Sequence, residues 1–378
     1  MMTAETTLVE NVSLTTSSSS WLPQYETGDV ICGRVVDVIE SVASPIIIGV
    51  GLTGNAVGSA SLLRVAGLRS RGIGHLLVAL CVSDAIFLAS LLPTWLGHRY
   101  GRGYDLYNSD GWCELLSLTT MSSNFLSTWF TVALGVERYV AVEHSRRHGR
   151  RLNRRPTSKP YCGPTRTRVA IIALTVLATV VFVNMVVNIG VVERPDGAPV
   201  CVPLPPAVDA MHVLNNVDLF VNVIAPGLII TALYSIIGVR LAVSRCRRSR
   251  AISRLAPPSL LRPGCDRENG GTTVCPTEIR LTRSALLLSG IVMLLSASNH
   301  AVRTAHVVAQ LFRLPVSVQF AGGRVVQLVV RELFYASFAV PFYVVFLSHS
   351  RIRRSIVLSL RLALESAWKR LRVVCSWT

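Results

Sequence analysis

Glu137 and Arg138 stand side by side near the end of a long apolar stretch, in ALGVERYVAVEH (residues 133–144), and apolar residues resume at once after them. The carboxylate can hold the guanidinium in a closed arrangement from which a conformational change releases it toward a partner, a two-state element that a ligand can bias. The other reading is an arginine that extends its charged head to a lipid interface with no switching role. Asp84 lies deep in a second apolar stretch, where a carboxyl is protonated, paired or ion-bound. His300, Arg303 and His306 recur at helical spacing and so share one helix face. No histidine and cysteine cluster has zinc-ligand spacing, and there is neither a phosphate-cradling glycine motif nor a G-x-S-x-G elbow. An enzyme therefore finds no support, and no cofactor or protein-held metal is called for.

The elements that must position these residues are set by composition. The chain has 378 residues, 51% hydrophobic and 16% charged, and its mean hydropathy of +0.48 is too high for most soluble domains of this length. The formal charge of +17 would suggest nucleic acid if the arginines formed one patch on a soluble domain. They fall instead between apolar runs, so no nucleic acid partner is expected.

A bilayer core of roughly 30 Å needs about 20 mostly apolar residues in a helix. Seven stretches qualify, near residues 39–63, 74–97, 114–142, 167–191, 213–243, 282–310 and 325–348. Cytoplasmic loops keep positive charge, and basic residues cluster after the first run (Arg64, Arg69, Arg71), the third (Arg146 to Lys159), the fifth (Arg240 to Arg262) and the seventh (Arg351, Arg353, Arg354). The opposite side is sparser and mixed, with Glu5, Glu10, Glu26 and Asp29 ahead of the first run. The N-terminus is therefore expected outside and the C-terminus inside. The expected organisation is a disordered outer tail over 1–35, a seven-span bundle over 36–350 and an inner amphipathic helix and tail over 351–378.

The tail is rich in Thr and Ser and holds an Asn11-Val12-Ser13 sequon, a site for glycosylation. It lacks a charged n-region before an apolar core, so the first span is expected to start insertion itself. From Arg351 to Arg372 basic residues alternate with Ile352, Ile356, Val357, Leu358, Leu360, Leu362 and Leu364, a pattern that lies in the inner interface against anionic lipid. Cys375 beyond it is a palmitoylation candidate or an ordinary reduced thiol. The loops over 144–168 and 244–278 are basic and interrupted by Pro and Gly; their partners are the acidic surface of a cytoplasmic protein, the anionic leaflet, or both.

Nine cysteines are too few for a disulfide scaffold, and only Cys32, Cys113 and Cys201 fall on the outer side. Cys113 opens the third span and Cys201 sits in the loop before the fifth, so a Cys113–Cys201 bridge would pin that loop over the mouth of the bundle. Cys32 is left over, free or capped.

Polar side chains crowd the outer halves of the spans: Thr120 and Asn124 in the third, Asp218 and Asn222 in the fifth, Asn299, His300, Arg303 and His306 in the sixth, and Arg331, Glu332 and Tyr335 in the seventh. At that depth they face the bundle interior or a water-filled cavity, where they line a ligand pocket or bond helix to helix. Trp95 and Trp112 near the outer rim read equally as interface anchors or ligand contacts.

Together these pieces resemble the rhodopsin-like G-protein-coupled receptors. Arg138 lies 25 residues after Cys113, as the family's Asp/Glu-Arg-Tyr motif does after its bridging cysteine. Gly54-Asn55 in the first span, Leu80 and Asp84 in the second, and Pro226 with Tyr234 in the fifth also match. The stretch STWFTVALGVERYVAVEH (127–144) is similar to invertebrate receptors for FMRFamide-like neuropeptides. The resemblance implies an all-α seven-helix bundle that binds an extracellular ligand and activates a heterotrimeric G protein, with Glu137, Arg138, Tyr139 and Tyr234 as the coupling switch. It also implies a sodium site at Asp84 near Asn55 and Ser127, and bundle positions of the family's type at Pro226 and Pro341. Thr120 stands where the family's amine receptors carry an aspartate, so the mixed-charge pocket suits a peptide better than an amine.

The chain departs from the family pattern at the switches. The fourth-span tryptophan has no counterpart, Cys-Trp-x-Pro becomes Ser296-Ala297-Ser298-Asn299, and the seventh span reads Val340-Pro341-Phe342-Tyr343-Val344 in place of Asn-Pro-x-x-Tyr. A receptor that binds ligand with weak, absent or constitutive coupling is the alternative reading. A retinal-bound pump is excluded, because Lys159 and Lys369 are the only lysines and both lie outside the spans. A secondary transporter would show repeat symmetry and broken helices, which seven unequal spans do not.

Overall fold

The computed structural model describes residues 26–64, 72–101, 106–149, 164–193, 195, 199–254, 276–311 and 323–348, with five positions beyond. Asn11, Cys375 and most of the loops over 144–168 and 244–278 lie outside the described residues, as do the side chains of Cys32 and His306.

The long apolar runs form helices because a backbone in lipid must satisfy its own N–H and C=O groups. They are α1 (Glu26–Arg64), α2 (Gly72–Tyr100), α3 (Trp112–Gly149), α4 (Pro164–Phe182) with the short α5 (Asn184–Asn188), α6 (Val208–Leu219) continuing through a π turn into α7 (Ala225–Arg254), α8 (Pro276–Leu311) and α9 (Gly323–Ser348). The seven-span, all-α architecture is as expected, with one β-hairpin added. Outward residues such as Ile172, Leu228 and Leu294 are 63%, 68% and 76% exposed, the lipid-facing surface of such a bundle.

Six of the seven spans are long and apolar enough to cross a membrane by composition alone, among the described residues. The seventh, α3, falls short because it is the axis of the bundle. It touches α2, α4, α5, α7, α8 and β1, and its Ser117, Ser123, Ser127 and Thr131 are buried among those neighbours rather than facing lipid. A helix surrounded by protein needs no continuous apolar coat.

Boundaries differ where a hydropathy run is blind to tertiary contact. α1 starts at Glu26, inside the stretch assigned to the outer tail, because nothing from there to the span interrupts helical bonding. α3 runs to Gly149 and α7 to Arg254, well into segments read as loops. The fourth run does not stay helical to 191: Ile189–Glu193 is strand β1, antiparallel to β2 (Pro199–Pro203), with Val191 opposite Cys201. A short apolar run fits a buried strand as well as a helix end, and the Cys113–Cys201 disulfide decides the matter by drawing this hairpin over the bundle. In the fifth span Pro226 has no N–H to give the carbonyl of Asn222, and the preceding turn, Phe220–Ile224, widens to π geometry.

Of the segment after the seventh span, Arg353, Arg354, Val357, Arg361 and Glu365 are described, and all five are helical and exposed.

Three buried clusters hold the bundle. Leu80, Leu134, Leu288 and Phe342 knit the half that carries Arg138. Phe125, Phe182, Ile189 and the disulfide fill the opposite end beneath the hairpin. Ile48, Phe87, Leu88 and Phe338 join α1, α2 and α9, with the Phe87 and Phe338 rings stacked 3.8 Å apart.

Candidate functional site

At one end of α3, Arg138 is 2% exposed and Glu137 8%. The Arg138 Nε and Nη2 groups both donate to Glu137 Oε2, so the guanidinium is held by its own sequence neighbour. A buried arginine with its carboxylate removed would be costly to leave there, which is why the pair forms. One turn further, Tyr139 and Glu143 share a face at i, i+4 spacing and meet Arg240 of α7. The Arg240 guanidinium lies 4.9 Å from the Tyr139 ring centre and its Nη1 donates to Glu143 Oε2. Sequence reading missed this second pair, having treated Arg240 as loop charge. Above it the Tyr234 hydroxyl bonds to Ser289 Oγ of α8. Three helices, α3, α7 and α8, are thus tied by polar contacts at this end.

In mid-bundle Asp84 is fully buried. Ser127 Oγ donates to Asp84 Oδ1 at 2.5 Å, bringing together two of the three residues expected there. The Asn55 amide bonds elsewhere: its Nδ2 donates to the Phe338 carbonyl at 2.9 Å. Asp84 Oδ2 and Asn55 Oδ1 are left as buried oxygens without a protein partner, a pair that suits water, a proton or a cation. Pro341 is buried within α9 and Pro226 sits just past the π turn.

At the other end the expected pocket residues separate into two groups. Between the fifth and sixth spans Arg303 Nη2 donates to Asp218 Oδ2 at 2.7 Å, and Asn222 Nδ2 donates to Asp218 Oδ1 at 2.5 Å. Asn222 Oδ1 and His300 Nδ1 are buried without partners, and the His300 ring meets Phe334 edge-on. Arg331 and Glu332 are drawn instead toward α1. Arg331 Nη2 donates to Glu40 Oε1 at 2.5 Å, and Ser44 Oγ donates to Glu332 Oε1 at 2.8 Å. Tyr335 is buried beside Phe87. Thr120 Oγ1 bonds to Ser90 Oγ of α2 at 2.9 Å, and Asn124 is half-buried on α3.

Of the rim tryptophans, Trp95 donates from Nε1 to the Glu40 carbonyl at 3.1 Å, and Trp112 is 46% exposed. The hairpin is fixed by Cys113–Cys201, with Cα atoms 5.7 Å apart, and by a donation from the Cys201 backbone N–H to Asn108 Oδ1 at 2.8 Å. No sequence signal pointed to Asn108.

No curated protein matches this chain. The family model described as "7 transmembrane receptor (rhodopsin family)" matches residues 54–350, a stretch that holds the Glu137-Arg138 pair, the Asp84 centre, the disulfide and the Asp218–Arg303 pair. The chain therefore belongs to the rhodopsin family of seven-transmembrane receptors: it is a G-protein-coupled receptor of the membrane, not an enzyme, and its partners are an extracellular ligand and a G protein.

Proposed function

We propose that the ligand is a short peptide with a charged terminus or side chain, received between the outer halves of the third, fifth, sixth and seventh spans. The observation that carries this reading is the Asp218–Arg303 pair with the orphaned Asn222 Oδ1 and His300 Nδ1 beside it. One charge of each sign, already desolvated, meets a ligand group of either sign without importing a bare charge. Similarity of residues 127–144 to receptors for FMRFamide-like neuropeptides supports the same class. Thr120, Asn124 and Tyr335 complete the candidate set; Arg331 and Glu332 act through their contacts to α1.

In this reading the N-terminus with its Asn11 sequon is extracellular, the basic loops face the cytosol and the receptor works in the plasma membrane. The C-terminal basic segment lies on the inner leaflet, with Cys375 as its lipidation site. Ligand binding re-pairs Asp218 and Arg303, shifts the fifth and sixth spans, and frees Arg138 from Glu137 for the G protein. Asp84 takes up a proton or a sodium ion as the bundle closes, with Ser127 and Asn55 as further oxygens. The seventh span offers Val340 where the family has asparagine, so a sodium shell would need water to complete it.

A second reading, constitutive or weak coupling, is favoured by one contact. The Tyr343 hydroxyl donates to the Val50 carbonyl of α1 at 3.0 Å and so is engaged by the first span. The deciding experiment is nucleotide exchange on purified G proteins, with membranes bearing the receptor challenged by an amidated-peptide library. A responding peptide whose effect is lost in Arg303→Ala and in Arg138→Ala supports ligand-driven coupling. High exchange without peptide, lost only in Arg138→Ala, supports the second reading.

A further inference from the structure

The lipid-facing surface of the bundle is not smooth. A groove of about 380 Å³ runs along α2 between α1 and α4, floored by α3. Val78, Val82, Ile86, Leu126, Phe130 and Ile171 give it an apolar wall. The two hydroxyl side chains in that wall turn back on their own helices, Ser83 Oγ donating to the Leu80 carbonyl and Thr175 Oγ1 to the Ile171 carbonyl, both at 2.9 Å. Neither leaves an unsatisfied polar atom, and no acidic residue lines the groove. Hydrocarbon is therefore the only filling the wall favours.

One end of the groove is basic. His75 lines it, and Arg168 of α4 approaches His75 Nε2 through both Nε and Nη2, at 3.2 and 3.1 Å. A guanidinium carries five donors in a fixed fork and no acceptor, so a single ring nitrogen leaves most of that capacity to an outside anion. Leu63, also in the wall, precedes the exposed Arg64. An apolar slot that ends in a planar forked cation matches an acyl chain joined to a phosphate. A sterol, with one neutral hydroxyl, would leave the fork unmatched.

We propose that this groove is a binding site for one anionic phospholipid, an acyl chain lying against α2 and the phosphate received by Arg168. This goes beyond ligand and G-protein recognition and does not depend on either. The lipid bridges α2 and α4 at the end of the bundle where α3 carries Arg138, so its occupancy acts on how these helices pack.

The test is native mass spectrometry of the full-length receptor released from micelles holding equal amounts of dioleoylphosphatidylserine and dioleoylphosphatidylcholine. The wild type is expected to retain phosphatidylserine in preference. Arg168→Gln lowers that retention about fivefold, the loss of one arginine at an anionic headgroup, without altering phosphatidylcholine. Ala79→Phe, which fills the groove, lowers both lipids, and melting temperature checks that each variant is folded. Arg166→Gln makes the same charge change on an exposed neighbour and is expected to have little effect. Equal retention of the two lipids by the wild type, an equal drop in Arg166→Gln, unchanged retention in Arg168→Gln, or displacement of phosphatidylserine by cholesterol would each overturn the proposal.

Discussion

Arg240 of α7 donates to Glu143 of α3 while its guanidinium covers the Tyr139 ring. Arg138, the residue before Tyr139, is paired with its own sequence neighbour Glu137. The Glu137–Arg138 pair is thus internal to one helix, whereas the Glu143–Arg240 pair, like the Tyr234–Ser289 contact, joins two helices at this end. Moving α7 away from α3 breaks the second, and in the proposed mechanism the release of Arg138 to the G protein breaks the first.

Arg240→Ala and Glu143→Gln are therefore expected to raise ligand-free nucleotide exchange about fivefold, since a partly exposed pair of this kind holds about 1 kcal/mol. GTP loading in membranes measures it, and a double variant should add little to either single change.

Glu137→Gln should cost about 3 kcal/mol, because it leaves Arg138 buried beside a neutral amide. Its signature is a lower melting temperature together with raised basal exchange. Arg138→Met keeps the stem but leaves the buried Glu137 carboxylate without the guanidinium, so it is expected to melt below the wild type as well, while losing exchange altogether.

Replacing Cys113 or Cys201 by Ser should lower stability by about 2–5 kcal/mol. The bridge closes a loop with a sequence separation of 88, and without it β1 and β2 lose their anchor over the site. Mild reduction of the wild type should reproduce the variant in a thermal melt.

Gly51→Ala tests the approach of α1 to α9. A Cβ at Gly51 would stand 2.9 Å from the Ala339 Cβ and 3.2 Å from its Cα, and backbone cannot yield as a side chain can. A loss of about 1–3 kcal/mol is expected, whereas Gly49→Ala, with nothing within 4 Å, should be neutral by the same melt.

Legibility followed the range of the physics. Seven spans were readable because lipid demands about 20 apolar residues from each helix, wherever its neighbours lie. α3 was readable even though its composition is poorer than the rest, since its length and flanking charges remained. The Cys113–Cys201 bridge was readable from sidedness, because the orientation expected from the basic loops puts only three of the cysteines on the outer side. Asp84 with Ser127 was readable through the resemblance, while Asn55 bonding to the Phe338 carbonyl was not, because a side-chain amide selects among partners that only the folded bundle brings near.

By itself the sequence determined how often the chain crosses the membrane, where its arginines gather and which receptor family it resembles. These depend on transfer of residues from water to lipid, a property summed along the chain. Only the tertiary structure decided that the end of the fourth apolar run becomes a strand, that Arg331 and Glu332 turn to α1 while Asp218 takes Arg303, and that Arg240 closes on Glu143. Those outcomes rest on distances of a few ångströms between residues as far as 291 positions apart. Hydropathy carries no information about them, because charges attract only across the contacts that packing has already made.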